Sequence, residues 1–213
     1  MAIINQVVSG GSSPTPTGKY QLLQRVTDDS NNGVGTVCGF FTDTNNIEYA
    51  VVCLDAQYRS TSGQYLSANT GISTLPECGT SAIYSRRESA TYNCTKILDF
   101  ATANNYTSSA VSHCRSQSFV IDGTTYYGQL PNLQEHIMMY EEQVGIENND
   151  PTAASNPDVA LIPSTAARVI TSSYATAGGG GFTWQFWTSN GSISAMGITQ
   201  SGHIHPILEL PNA

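Results

Sequence analysis

The pattern of apolar and polar positions in the N-terminal part of the chain indicates a β-sheet. Residues 47–54 form a short apolar run rich in β-branched side chains, which predicts a buried strand. Residues 20–26 alternate in part, and residues 34–41 form a glycine-containing apolar run, so two further strands are predicted. Polar clusters at residues 28–33 and 43–46 predict the turns between these strands.

The C-terminal part of the chain also has the alternation of a sheet. Residues 182–187 are rich in aromatic side chains and predict a strand, and residues 193–198 predict the strand that returns. Residues 189–192 between them are Ser-Asn-Gly-Ser, and the pair Asn-Gly strongly favours a two-residue hairpin turn. Residues 204–210 predict the last strand, and the polar, proline-containing residues 146–165 predict a long loop.

The middle of the chain begins with a predicted helix. Ser85 and Glu88 have the spacing of a capping box, in which each side chain bonds the backbone N–H of the other residue. Asn104 and Asn105 end the run that follows. Within that run, apolar side chains recur at helical spacing at Ala90, Cys94, Ile97 and Ala101.

A second predicted helix begins at Asn132, with Glu135 three residues further on as in a capping box. We expect it to end near Gly145, since glycine is common just after a helix. Residues 118–127, between the two helices, contain Asp-Gly between two β-forming runs and predict a hairpin. The apolar face of the second helix consists of Leu133, Ile137, Tyr140 and Val144.

This order of elements predicts an α+β fold, because the helices are set apart from the strands and do not alternate with them. Residues 19–213 form the predicted folded domain. Residues 1–18 stand apart, because they combine a short apolar segment with a Gly/Ser/Pro-rich stretch. We interpret them as an attachment arm and linker, with a frayed terminus as the alternative.

Charge and composition exclude several classes of partner. The chain has 8 Lys+Arg and 16 Asp+Glu, a net charge of -8, so a surface that neutralises phosphates is not expected. We therefore expect binding to neither nucleic acid nor an anionic membrane surface. No segment approaches the roughly 20 apolar residues of a membrane helix, and the opening residues lack the features of a signal peptide. Synthesis in a cytoplasm, without membrane insertion, is the expectation.

The cysteines do not have the spacing of a metal or redox motif. No pair is Cys-x-x-Cys, and the number is odd, so a zinc site is not expected. We expect buried or half-buried thiols formed in a reducing cytoplasm, with one or two disulfides as the alternative. The five residues are Cys38, Cys53, Cys78, Cys94 and Cys114.

Residues that carry catalysis are sparse. His203 and His205 would share one face of a strand, as a metal pair requires, but no third ligand accompanies them, so they are interpreted as surface or core histidines. Glu135 and the pair 141–142 are interpreted as a solvated helix face. The glycine run 178–181 lacks the Lys and Ser/Thr of a phosphate loop and is interpreted as a loop tip. We expect no metal, no cofactor and no enzymatic activity.

Several segments together resemble the C-type-lectin-like domains of prokaryotes and phages. Residues 126–135, Tyr-Tyr-Gly-Gln-Leu-Pro-Asn-Leu-Gln-Glu, resemble the leucine-proline element that leads into a helix in that family. Residues 90–110 resemble its first helix and exit, and residues 205–210 resemble its closing strand. Residues 171–174, Thr-Ser-Ser-Tyr, stand where the family usually has Trp-Ser-Ser. Trp184-Gln185-Phe186 stands for its aromatic strand, and the likeness covers roughly residues 34–211.

The resemblance implies a C-type-lectin-like fold with two helices, antiparallel strands and long loops. It also implies ligand display, as in phage tropism determinants and proteins varied by diversity-generating retroelements. Residues 172–203 form the expected binding segment, and they are rich in Tyr, Trp, Phe, Ser, Asn and Gly, as binding loops are. Trp184 and Phe186 share a strand face and are expected in the core. The expected exposed binding set is Tyr174, Phe182, Trp187, Asn190, Met196, Thr199, Gln200 and His203.

The expected function is therefore that of a non-enzymatic, homo-oligomeric protein on a phage virion surface, which binds a host cell-surface protein or glycan. Residues 1–18 would attach it to other virion proteins. The alternative is a structural virion component, such as a capsid decoration or a head or tail fibre protein. Formylglycine-generating enzymes share the fold, but their cysteine and metal motif is not matched. Leu130-Pro131-Asn132 lacks the acid or amide before proline that calcium lectins carry, so calcium-mediated sugar binding is not expected.

Overall fold

The chain has a mixed α+β structure. A computed structural model describes residues 18–68, 89–149, 168–177, 180–188 and 190–213. This part of the chain contains three α-helices and eleven strands, and the strands form three sheets. The α+β prediction is thus confirmed. Except for Gly18, the predicted attachment arm lies outside the described residues.

The first sheet joins the N-terminal strands to the last strand of the chain. Its strands are β1 Arg25–Thr27, β2 Gly33–Thr42, β3 Glu48–Leu54 and β11 Ile207–Pro211. They pair antiparallel in the order β1-β2-β3-β11. β3 is central in this sheet and residues 50–54 are all buried, which explains why its sequence is a continuous apolar run.

Aspartate side chains hold the turns of the first sheet. The carboxylate of Asp28 accepts hydrogen bonds from the backbone N–H groups two and four residues further on, at 3.0 and 2.8 Å. The carboxylate of Asp43 does the same at 2.8 and 2.9 Å, so both predicted turns are confirmed. The strand predicted over residues 20–26 is mostly wrong, because Leu23 has a φ of 61° and turns the chain before β1.

The second sheet combines the middle and C-terminal strands. Its strands are β4 Ser60–Gln64, β7 Arg168–Ala177, β8 Gly180–Trp187, β9 Ile193–Gly197 and β10 Ser201–Ile204. They lie in the order β4-β10-β7-β8-β9. β10 pairs with β7 in parallel, and the other neighbours pair antiparallel.

The single strand predicted over residues 204–210 is in fact the junction of two sheets. The chain leaves the second sheet after Ile204 and enters the first sheet at Ile207. Pro206 lies at the crossing and has no N–H to donate to a sheet, although its carbonyl accepts from the N–H of Leu54 at 3.1 Å. The prediction failed because residues 204–210 are buried throughout, so the apolar pattern shows no break.

The predicted hairpin in the middle of the chain is confirmed. Strands β5 Ser118–Ile121 and β6 Thr124–Tyr127 pair antiparallel around Asp122 and Gly123. Both turn residues have positive φ, 51° and 72°, as a type I′ turn requires. The Asp29 carboxylate accepts from both of their N–H groups, at 2.7 and 2.8 Å, and so fixes the hairpin beside the first sheet.

The described part of the chain has three helices where the sequence predicted two. They are α1 Ala90–Ala103, α2 Ser109–Arg115 and α3 Leu133–Asn149. Ser89 caps α1 by accepting from the N–H of Tyr92 at 3.1 Å, and the predicted capping box at residues 85–88 lies outside the description. α2 was missed because its seven residues are too few to establish helical periodicity.

The predicted start of α3 is confirmed, and its predicted end is wrong. Asn132 Oδ1 accepts from the N–H of Glu135 at 2.8 Å, and Glu135 Oε2 accepts from the N–H of Asn132 at 2.7 Å. This is the reciprocal pattern of a capping box. The helix continues through Gly145 to Asn149, because Gly145 does not take the positive φ that ends a helix.

The core has three apolar clusters. The first packs α1 and α2 on the second sheet, and the second packs the hairpin β5–β6 on the first sheet. The third includes residues of the first sheet and Met139 of α3. No helix in the described ranges is both long and apolar enough to cross a membrane. Four of the cysteines are buried free thiols, as predicted, and Cys78 is outside the description: Cys38, Cys53, Cys94 and Cys114.

Candidate functional site

Two members of the predicted binding set belong to the core. Tyr174 is fully buried and stacks on Tyr65, with ring centroids 6.0 Å apart. Met196 is 2% exposed and lies in the same apolar cluster. The expectation that both are exposed is therefore wrong. Much of the segment 172–203 is sheet and not loop, and one face of that sheet packs on α1 and α2.

Trp187 lies partly exposed at the end of β8, where residues of two neighbouring strands hold its ring. Arg168 is directly opposite on β7, and its guanidinium lies 5.7 Å from the ring centroid. The indole N–H donates to Ser194 Oγ on β9 at 3.3 Å. Gln185 Nε2 donates to the same oxygen at 2.6 Å. Trp187 is thus fixed from both sides by a cation–π contact and a hydrogen bond.

The tight turn after β8 brings Asn190 close to Trp187. The N–H of Gly191 donates to the carbonyl of Trp187, and the N–H of Trp187 donates to the carbonyl of Ser192, both at 2.9 Å. Asn190 is exposed, and its Oδ1 accepts from the N–H of Ser192 at 3.0 Å. Gly191 has a φ of 67°, which glycine adopts without strain. The predicted hairpin is confirmed, but the two-residue turn is wrong, because the strands close at Trp187 and Ser192 and the loop between them is longer. The hairpin joins two members of the predicted set.

Thr199 and Gln200 lie in a different part of the sheet, in the turn that leads into β10. The carbonyl of Thr199 accepts from Gln64 Nε2 at 2.8 Å, which ties this turn to β4. Gln200 is exposed and Thr199 is half-buried. The side chain of Phe182 lies outside the description.

His203 is on the opposite face of the sheet from Trp187. It pairs with Val169, which in turn is opposite Phe186 on β8. Directly opposed residues share a face, and successive residues alternate, so His203 lies on the face of Phe186. Phe186 is in the core as predicted, whereas Trp184 on the same face is only half-buried. Of the predicted set, the structure brings together Trp187 and Asn190.

The residues that stand for Trp-Ser-Ser use buried hydroxyl groups to connect several elements. Ser172 Oγ accepts from Asn93 Nδ2 of α1 at 3.2 Å. Ser173 Oγ accepts from the N–H of Leu133, the first residue of α3, at 3.0 Å. Thr171 Oγ1 donates to the backbone of β8 at 2.7 Å. These bonds lie where the pairing of β7 with β8 is irregular, and they hold both helices on the sheet.

A pair of buried carboxyl groups, Glu135 and Glu209, joins the N-terminal ends of α1 and α3. Glu209 on β11 accepts from the N–H groups of Ala90 and Thr91, at 2.8 and 2.9 Å. Glu135 Oε1 receives no hydrogen bond from the described residues. Burial, and then the neighbouring Glu209 carboxylate, raise the pKa of Glu135 well above its ordinary value. From this direction we infer that Glu135 keeps a proton that it can donate to Glu209, so that the pair carries one negative charge near two helix N-termini.

The expectation that Glu135 lies on a solvated helix face is thus wrong. Glu135 is fully buried, whereas Glu141 is exposed and Glu142 is half-buried. The first turn of α3 is enclosed by β11, the start of α1 and the segment of β7 around Ser173. The enclosed side of this turn carries Glu135, whereas Gln134 on its other side is exposed.

Two buried histidines lie near this pair. The rings of His136 and His205 are 5.6 Å apart, and His136 packs edge-on against Phe186 at 4.8 Å. Burial lowers the pKa of His136 to about 3 and the pKa of His205 well below its ordinary value, so both are neutral. His205 points into the core, which agrees with its interpretation as a core histidine. The described part of the chain contains no group of three His, Cys, Asp or Glu side chains placed to hold a metal.

These groups predict a maximum in the free energy of unfolding near pH 6.5. Below the ordinary histidine pKa of 6.5, the unfolded chain protonates His136 and His205 but the folded chain does not, so stability falls as the pH falls. Between the ordinary glutamate pKa of 4.5 and the raised pKa of folded Glu135, the unfolded chain releases a proton that the folded chain keeps, so stability falls as the pH rises. Each effect is about 1.4 kcal/mol per pH unit. Two histidines outweigh one glutamate below pH 6.5, and Glu135 alone acts above it.

Urea unfolding at about pH 5, 6.5 and 8 measures this dependence. The charged or titratable groups that act on the three residues are Arg59, His203 and Glu209. Glu135→Gln keeps a neutral donor beside Glu209 and has no proton to lose. It should abolish the alkaline decline that Glu135 causes and keep the acid decline. Equal alkaline declines in both proteins would show that Glu135 is ionised in the folded chain.

Comparison with known proteins finds no matching family model, no matching curated protein and no matching solved structure. The functional conclusion therefore depends on the geometry described above and on the motifs in the sequence.

Proposed function

We propose that this protein is a non-enzymatic ligand-binding domain displayed on a phage virion, and that the turn after β8 contacts a host-surface receptor. The observation that carries the proposal is the ring of Trp187, which is partly exposed yet held by Arg168 and Ser194. Tryptophan and arginine are the residue types most enriched among energetically dominant interface contacts. A ring that is already fixed loses little conformational entropy on binding, which favours affinity.

The surroundings of Trp187 suit such a contact. Asn190 is exposed on the adjacent turn, and Arg168 is exposed on the neighbouring strand. An aromatic anchor with a cation and an amide beside it offers apolar area and hydrogen-bond donors to one partner surface. The site lies on paired strands and not on a long loop, so its geometry is rigid.

The architecture supports assigning the scaffold to the C-type-lectin-like class. The Leu130-Pro131-Asn132 element leads into α3, and Leu130 is fully buried against the first helix through Cys94. Residues 171–173 connect β7 to both long helices, in the position of the Trp-Ser-Ser motif. The C-terminal strand β11 completes the first sheet. These features agree with a fixed scaffold that presents the β8–β9 turn.

Binding of the labelled full-length protein to a panel of bacterial strains tests the proposal. Trp187→Ala should weaken binding to a responsive strain by about 30-fold, because losing a dominant aromatic contact costs about 2 kcal/mol. Tyr92→Ala is the matched control, since Tyr92 is an exposed aromatic, 44% accessible, on α1. Thermal unfolding of both variants shows that the fold is intact.

Two results would overturn the proposal. Unchanged binding by folded Trp187→Ala would show that the receptor contacts another surface. Binding to no strain by the full-length chain would favour the structural alternative, a capsid decoration or fibre component.

A further inference from the structure

Two adjoining cavities lie on the side of the molecule formed by α1, α2, β6 and β11. Their volumes are about 280 and 330 Å³, and Arg115 and Tyr127 line both. Binding sites for small molecules commonly measure about 300–1,000 Å³, so the two together suit a ligand of more than one ring. We call them the Arg115 groove. None of its lining residues belongs to β7, β8 or β9, so its role does not depend on the proposal for Trp187.

Tyrosine side chains supply the apolar part of the groove. Tyr49, Tyr126 and Tyr127 come from two different sheets and together line the cavity of about 280 Å³. Tyr127 is 49% exposed, so its ring is accessible to a ligand in the groove. Each ring offers an apolar face with a hydroxyl group at its edge.

Arg115 supplies planar hydrogen-bond donors at the junction of the two cavities. Its Nη2 donates to the carbonyl of Thr91 at 3.3 Å and to Thr95 Oγ1 at 3.1 Å, which fixes the guanidinium on α1. Its Nε is buried and has no hydrogen-bond partner among the described residues. Asp99 lines the second cavity beside Arg115, so donors and acceptors lie next to each other.

Gln129, like Arg115, places in the groove a buried polar atom that has no hydrogen-bond partner among the described residues. It is 3% exposed, and its Nε2 donates to the carbonyl of Tyr127 at 2.8 Å. Its Oε1 is buried without a partner in the described chain. An unpaired buried polar atom destabilises the folded chain, so a ligand or an ordered water that pairs with it is favoured.

We propose that the Arg115 groove binds a neutral oligosaccharide. A sugar ring has apolar C–H faces that complement tyrosine rings, and hydroxyl groups that both donate to Asp99 and accept from Arg115. An acidic ligand is disfavoured, because Asp99 and Glu209 line the cavities and the chain carries a net charge of -8. The polar edge of the groove carries further hydroxyl groups at Ser89, Thr91, Thr95 and Thr125.

A printed array of neutral oligosaccharides of glucose, galactose, mannose and N-acetylhexosamines, with matched acidic sugars, provides the probes. The full-length protein should bind members of the neutral set, and calorimetry with the best of them should show saturable binding. Tyr127→Ala should weaken that binding roughly tenfold or more. Tyr92→Ala, which replaces a tyrosine of similar exposure, 44% against 49%, outside the groove, should leave it unchanged.

Trp187→Ala separates this inference from the receptor proposal, since it should leave binding to the neutral sugar unchanged. Three results would overturn the inference: no binding to the neutral set, binding to acidic sugars alone, or equal binding by Tyr127→Ala and the unaltered protein. Loss of sugar binding in Trp187→Ala but not in Tyr127→Ala would assign the sugar to the β8–β9 turn instead.

Discussion

Replacing Glu209 by alanine should lower the free energy of unfolding by about 3–6 kcal/mol, because two backbone N–H groups lose a charged acceptor and each such hydrogen bond contributes roughly 1.5–3 kcal/mol. The substitution removes the acceptor of two backbone N–H groups at the start of α1, those of Ala90 and Thr91. It also leaves Glu135 buried without the carboxylate to which it donates. Urea unfolding near neutral pH, followed by circular dichroism, measures the change.

Glu135→Gln is the matched control for this experiment. The amide has nearly the same size, stays neutral and keeps a donor toward Glu209, so stability near neutral pH should change by less than about 1 kcal/mol. A loss in Glu135→Gln as large as that in Glu209→Ala would contradict the assignment of the proton to Glu135. A loss below about 1 kcal/mol in Glu209→Ala would show that its carboxylate does not hold the two helices.

Replacing Tyr174 by alanine should destabilise the protein by about 3–5 kcal/mol, as truncation of a buried aromatic side chain usually does. Tyr174 is fully buried and stacks on Tyr65, whose hydroxyl group donates to the carbonyl of Ser172 at 3.3 Å. The cavity left behind would lie between the second sheet and the helices α1 and α2. Chemical unfolding measures the loss.

Tyr92→Ala again serves as the comparison, since an exposed position should change stability by less than about 0.5 kcal/mol. Any loss of ligand binding in Tyr174→Ala should scale with the unfolded fraction and disappear at temperatures where the variant is folded. If Tyr174→Ala is fully folded, loses little stability and still binds the ligand more weakly, then Tyr174 contacts the ligand and the core assignment is wrong.

Most local elements of the fold were predictable because their signals are contiguous. The hairpin β5–β6 has Asp-Gly at its turn, and the start of α3 has Asn132 and Glu135 at capping-box spacing. β3 is a continuous apolar run because apolar clusters cover both of its faces. The α+β class follows from the order of these elements. Such features are determined by residues only a few positions apart, so they can be read directly from the sequence.

The crossing at Pro206 and the short helix α2 were not predictable from pattern alone. The residues on both sides of Pro206 are buried, so the apolar pattern does not show where the chain changes sheet. α2 has only seven residues, too few to establish helical periodicity. The exposure of Tyr174 and Met196 was misjudged for a related reason. An alternating strand shows which residues share a face, but the partner that covers the face lies far away in the sequence.

The candidate sites also combine residues that are close in sequence, which were predictable, with residues from distant segments, which were not. Trp187 and Asn190 are close in sequence, so their association was predictable from the turn between them. Arg168 and Ser194 join them only through the register of three strands. The Arg115 groove collects side chains from five separate parts of the chain and has no local motif. Glu135 was found as a capping residue, but its burial depends on Glu209 in the last strand.

Because β11 is synthesised long after β3, one edge of β3 stays unpaired during most of synthesis. β3 is made early and is apolar on both faces, yet one of its two edges is covered only when residues 207–211 arrive. Until then the nascent chain presents an unpaired hydrophobic strand edge, which favours association with other chains. Chains that stop before residue 207 would keep that edge open, so the pairing of β11 with β3 protects only those chains that contain this strand.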